Sequence, residues 1–236
     1  MYILSMLYTF LQVSLPADTA GQEPVEKNLS IWELITSGGI GGMVIMTVLG
    51  ILSIVTVYIF FERWGAIQRA NRIDGNFMRD IKDHVINGKL DAARSLCQSQ
   101  NTPVARMLSK GISRIGNPLK DIGAAIENTG KLEVSRLEKN LAAMATIAGA
   151  APMIGFLGTV IGMILAFHEM AAAGGQIDIE MLAEGIYTAM TTTVAGLAVG
   201  IIAYLGYNVL VAKVDKTVYN METRATEFMD LLNDPA

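Results

Sequence analysis

Three stretches of this 236-residue chain, 34–61, 140–167 and 185–212, contain no Asp, Glu, Lys or Arg. Each exceeds the roughly 20 apolar residues that cross a bilayer's hydrocarbon core, so each predicts a transmembrane helix. None holds a carboxylate, which excludes an acid of this chain titrating at membrane depth. If protons move past these helices, another chain must supply the group that carries them. Cys97 is the only cysteine, which excludes an internal disulfide, and no second Cys or ligand-spaced His stands near it to hold a metal. A buried, inert helix cysteine is the reading that remains. No cofactor and no nucleic-acid partner is expected.

Basic residues are absent from one side of the predicted membrane. Seventeen of the eighteen Lys and Arg fall in 62–139 or after residue 212; the segment before the first run has only Lys27, and 168–184 has none. That asymmetry is the positive-inside pattern of a three-span protein, with the N-terminus outside and the C-terminus cytoplasmic. The net charge of −4 averages a basic inner side with an acidic outer one. Hydrophobic residues make up 52% of the chain.

Proline is scarce within the membrane runs, Pro152 being the only one, and no strand-like alternation persists anywhere. The fold class predicted is therefore an all-α membrane protein with three transmembrane helices, the second and third extending into a cytoplasmic helical bundle. The expected layout is an N-terminal signal-like or periplasmic segment (1–29), a periplasmic interfacial helix (30–39), membrane spans at 40–61, 140–167 and 185–212, a cytoplasmic helical region (62–139), a periplasmic loop (168–184) and a cytoplasmic C-terminal helix (213–236). Ser30 and Glu33 fit a capping box for the interfacial helix, with Trp32 as its anchor. Val134, Leu137, Leu141, Met144 and Ala148 keep a 3–4 spacing, which predicts one unbroken helix entering the second span. Val214, Val218, Met221, Ala225, Phe228 and Leu232 predict the same for the third span's exit. Breaks are expected at Asn87-Gly88, Asn101-Thr102-Pro103 and Gly116-Asn117-Pro118.

Within the spans, small residues recur on one face. Ala151, Gly155, Gly158 and Gly162 step through the second helix beside Thr159; Ala189, Thr193, Gly196, Gly200 and Ala203 step through the third. With little hydrophobic drive between helices in lipid, such faces let backbones approach closely. The threonines have two readings. Either they turn inward to a pore, as polar groups at membrane depth do, or each bonds its own helix's carbonyl four residues back.

The stretch Ala151-Pro152-Met153-Ile154-Gly155-Phe156-Leu157-Gly158-Thr159-Val160-Ile161-Gly162-Met163 resembles the signature of the MotA/TolQ/ExbB proton channel family. Thr192-Thr193-Val194-Ala195-Gly196-Leu197 is similar to that family's third-helix segment, and Tyr207-Asn208 to its trailing pair. The three-span layout resembles the ExbB and TolQ branch.

The resemblance implies a homopentamer whose second and third helices surround a pore. It also implies a dimer of a single-span, ExbD-like or TolR-like partner whose membrane Asp threads that pore. Proton flow would then drive work through a TonB- or TolA-like protein. Thr159 and Thr193 match pore-facing positions, with Thr192 and Thr188 beside them on the ion pathway. Gly155, Gly158, Gly162, Gly196 and Gly200 are expected to pack the partner helix. Glu62 matches an inner-end position read as a proton exit or inter-subunit pair, against the alternative of a snorkelling charge paired with Arg63. One departure stands out: where many relatives place a third-helix glutamate, this chain has Thr188. Glu169 and Glu184 are read as solvated boundary charges, and neither His84 nor His168 is given a role. No enzymatic site is expected; the competing function is a non-conducting membrane scaffold.

Overall fold

The computed structural model describes residues 39–72, 75–172 and 179–233. The expectations for 1–29, the interfacial helix with Ser30, Trp32 and Glu33, and residues 173–178 of the expected 168–184 loop lie outside these residues. So do the side chains of Glu184 and Thr188. Residues 168–172 and 179–184 are helical rather than loop.

Among the described residues seven helices and no strand form: α1 (Gly39–Ala70), α2 (Phe77–Ile86), α3 (Leu90–Gln100), α4 (Pro103–Ile112), α5 (Leu119–Leu137), α6 (Leu141–Ala172) and α7 (Ile179–Asn233). Three helical stretches, within α1, α5–α6 and α7, are long and apolar enough to cross a membrane. The expected breaks fall between helices, and each has a backbone reason. Gly88 (φ 68°), Asn101 (φ 41°) and Gly116 (φ 103°) adopt the left-handed conformation that stops a helix. The next start is prepared by Thr102, whose Oγ1 accepts from the Ala105 N–H at 3.3 Å with Pro103 in the first turn.

The third span runs on as predicted. α7 is 55 residues without a break, about 80 Å at 1.5 Å per residue. Val214, Met221 and Phe228 of its seam are buried.

The second span does not. The seam of Leu137, Leu141 and Met144 is buried as expected, but the helix is interrupted at residues 138–140. Asn140 sits at φ 65°, and the Leu141 N–H reaches only three residues back, to the Glu138 carbonyl at 3.0 Å. A helix needs both αR backbone and a ladder four residues deep, and asparagine tolerates the left-handed turn that denies it both. Periodicity carried across the break because the two helices present their apolar faces to the same neighbours.

Packing divides along the chain. At the charged end, Phe77, Ile81, Cys97, Leu108, Ile112, Ile126, Met221 and Phe228 close a core in which α2, α4 and α5 pack on the lower half of α7 and α3 packs on α2 and α4. In the apolar half only Ile45, Leu49, Ile147, Ala151 and Ala203 form such a cluster, while Met153 is 73% exposed and Val194 66%. Large apolar side chains face outward there, as a lipid solvent permits.

Candidate functional site

Among the described helices α6 and α7 pack against each other most extensively, and glycine makes the approach possible. A methyl added at Gly196 would lie 2.6 Å from the Ala151 carbonyl oxygen and 2.8 Å from the Gly155 Cα. One added at Gly155 would lie 2.7 Å from the Thr192 carbonyl oxygen, one at Gly162 2.9 Å from the Ala189 Cβ, and one at Gly200 2.6 Å from the Pro152 ring. At Gly158 it would strike the Thr192 side chain. Gly155, Gly158, Gly162, Gly196 and Gly200 thus meet the neighbouring helix of their own chain. Gly155 and Gly196 meet the backbone of the neighbouring span first, while Gly158, Gly162 and Gly200 meet its side chains.

That proximity brings hydroxyls to carbonyls. The Thr159 hydroxyl on α6 lies 3.1 Å from the Ala189 carbonyl oxygen on α7, and the Thr193 hydroxyl on α7 lies 3.1 Å from the Gly155 carbonyl oxygen on α6, each placed to donate. The two hydroxyl oxygens are in direct contact with each other. Thr192 reaches the same two carbonyls, Ala189 at 2.8 Å and Gly155 at 3.2 Å.

Other threonines of the spans behave differently. Thr47, Thr56, Thr146 and Thr191 each donate to the carbonyl four residues back on their own helix. Thr159 and Thr193 escape that pattern because the glycines place a second helix's carbonyls within reach. Both remain half-buried, with a side open toward the helix-pair surface, whereas Thr192 is 3% exposed. Thr192, expected on the ion pathway, is enclosed between α6 and α7 in this subunit, with its side chain against Gly158.

A second polar assembly lies along α5, at its contacts with α4 and α1, and sequence reading missed it. Glu133 is 3% exposed and bridges two arginines, Arg106 and Arg136, the latter at 2.7 Å. Arg106 also donates to the Asn101 carbonyl and side chain at 2.9 and 2.8 Å. Arg63, itself buried, donates to the Arg136 carbonyl at 3.1 Å, satisfying an orphan acceptor of α5's last turn just ahead of the break. A signal was present: Ile122, Ile126, Gly130, Glu133 and Leu137 form a buried seam, and a carboxylate at a seam position needs partners.

Glu62 pairs with the adjacent Arg63 of its own chain, the arrangement of a snorkelling pair. His168 and Glu169 are exposed at the far end of α6, and His84 closes α2. Among the described residues no group of His, Cys, Asp or Glu is arranged to hold a metal. Burial pushes the Cys97 thiol up to about 12, which leaves it an inert core group.

Fold and site together define a multi-pass membrane protein in which glycines lock two spans into a hydroxyl-bearing pair. The pattern for the MotA/TolQ/ExbB proton channel family matches residues 99–223, which takes in α4, α5, α6 and most of α7. An ExbB homologue for biopolymer transport from Methanothermobacter thermautotrophicus is 34% identical over 135 residues, 57% of this chain and 47% of its own length. The chain spans about half of that relative. An ExbB-like biopolymer transport protein of Synechocystis is 30% identical over 72% of this chain and 68% of its own. The Tol-Pal system protein TolQ of Pseudomonas aeruginosa is 24% identical over 89% and 95%. This chain belongs to the MotA/TolQ/ExbB proton channel family.

Proposed function

We propose that this chain is the ExbB/TolQ-like subunit of an inner-membrane proton channel and motor. In this reading five copies surround a dimer of a single-span ExbD- or TolR-like protein, and proton motive force becomes mechanical work on a TonB- or TolA-like protein. The termini lie as the basic residues suggest, N-terminus periplasmic and C-terminus cytoplasmic. The observation that carries the reading is the crossed pair Thr159 and Thr193, two hydroxyls held at membrane depth by opposite helices in spans with no acid of their own.

The chemistry follows from the direction of donation. A hydroxyl has one proton and two lone pairs. With their protons taken up by a backbone carbonyl and by each other, Thr159 and Thr193 keep lone pairs to offer, which suits a protonated carboxylic acid, water or hydronium. The titrating carboxylate comes from the partner helix, since this chain brings Thr188 to the third-helix position where many relatives carry an acid. Each proton crossing supplies about 2.3 kcal/mol per 100 mV, enough to bias a two-state shift of one helix against a smooth wall.

The test is proton flux into vesicles containing the chain and its co-purified single-span partner, read by an entrapped pH-sensitive dye. Thr193→Val, isosteric but without the hydroxyl, lowers flux at least about tenfold in this reading, since losing one hydrogen bond in a barrier is worth about that factor. Unchanged flux removes Thr193 from the pathway, and absence of flux in the unsubstituted complex favours a non-conducting scaffold.

A further inference from the structure

We infer that Thr192, which touches no pathway itself, is the positioning residue that sets the direction of the hydrogen bond between Thr159 and Thr193. The inference rests on the channel reading above and concerns how its two hydroxyls are held.

Three hydroxyls, Thr159, Thr192 and Thr193, converge on two carbonyls, Gly155 and Ala189. Each carbonyl oxygen has two lone pairs, and inside a helix one of them serves the N–H four residues on. One slot remains per carbonyl, so two slots face three donors. The third proton has only a hydroxyl oxygen to go to, and the contact between Thr159 and Thr193 provides it.

The position of the Thr192 proton decides which way that contact runs. With Thr192 donating to Ala189, at 2.8 Å its shorter bond, the Thr159 proton is displaced onto Thr193, and Thr193 donates to Gly155. Thr159 then keeps both lone pairs free. With Thr192 turned to Gly155, at 3.2 Å, the order reverses: Thr193 donates to Thr159, Thr159 donates to Ala189, and the free lone pairs move to Thr193. One buried rotor thus moves the stronger acceptor from α6 to α7, and no covalent bond changes. Thr192 can do this because Gly158 leaves room for it: a methyl there would lie 2.8 Å from the Thr192 Cβ. Without the Thr192 hydroxyl, two donors fill two slots and nothing requires the Thr159–Thr193 bond.

The flux assay described above distinguishes the claims with Thr192→Val, Thr192→Ser and Thr192→Ala in the full complex. Thr192→Val removes the hydroxyl at constant size, and flux falls about tenfold, the equivalent of one hydrogen bond. Thr192→Ser keeps the hydroxyl and conducts within about threefold of the unsubstituted complex, by the same conversion. Should the valine variant fail to assemble, the serine and alanine variants, both short of the methyl and differing by one oxygen, carry the same comparison. Serine conducting and alanine not supports the role; serine and alanine behaving alike, or valine conducting normally, overturns it. No flux from the unsubstituted complex overturns the channel reading and this role with it. Flux that falls in Thr193→Val but not in Thr192→Val overturns the role of Thr192 alone.

Discussion

Replacing Gly196 with alanine places a methyl 2.6 Å from the Ala151 carbonyl oxygen and 2.8 Å from the Gly155 Cα, and both obstacles are backbone. No side chain can rotate away to relieve them, so α6 and α7 must separate. An ordinary carbon-to-oxygen contact begins near about 3.3 Å, leaving a shortfall of about 0.7 Å. If the separation is shared along the pair, the Thr193 hydroxyl, now 3.1 Å from the Gly155 carbonyl, moves beyond the reach of a hydrogen bond. Overpacking of this kind costs about 1–3 kcal/mol, and each lost hydrogen bond about 1 kcal/mol more. The expected loss of stability is therefore about 2–4 kcal/mol. Gly149→Ala is the control on the same helix pair, because nothing lies within 4 Å of a methyl added there. Equilibrium unfolding in mixed detergent micelles, followed by circular dichroism, measures both. A Gly196→Ala variant within about 0.5 kcal/mol of Gly149→Ala would refute the argument that glycine contact holds the pair together.

Arg106→Met leaves Glu133 buried with Arg136 as its remaining partner, and is expected to destabilise the chain by about 2 kcal/mol, below the roughly 3–5 for a wholly unpaired buried charge. Arg106→Lys should recover little of this, since a single ammonium cannot span the Asn101 and Glu133 acceptors; full recovery in chemical denaturation would contradict the network. Cys97 should resist maleimide in native membranes at neutral pH and label only on unfolding, as its thiol is 2% exposed and raised from 9.0 to about 12. Because the unfolded thiol ionises first, stability should fall as pH rises from about 9 toward 12, and Cys97→Ala should flatten that dependence; an unchanged slope would exclude the thiol as its source.

Several elements were legible along the chain because their causes are local. Gly88, Asn101 and Gly116 stop helices through their own backbone, and Thr102-Pro103 starts one through its own side chain and ring. Asn140 was as readable in kind, yet the seam from Leu137 to Met144 concealed it, since burial periodicity records which face is covered and not whether the ladder is intact. Glu133 was concealed differently. Its buried place could be counted from the seam, but its partners come from α4 and from its own helix, and Arg63, whose guanidinium closes the end of α5, comes from α1, 73 residues from the carbonyl it meets.

The threonines divide the two kinds of information most sharply. Sequence alone determines that this protein crosses a membrane with three spans, that those spans bring no acid, and that glycine and threonine share a face of the second and third. Hydropathy, charge and helical spacing act residue by residue, so a one-dimensional pattern holds them. Only the tertiary structure decides that Thr159 and Thr193 exchange carbonyls across the helix pair while Thr47, Thr56, Thr146 and Thr191 bond their own helices, and that Thr192 lies enclosed between them. That choice depends on the axial register and separation of α6 and α7. A shift of less than an ångström would return each hydroxyl to its own helix, because hydrogen bonds weaken steeply with distance and angle.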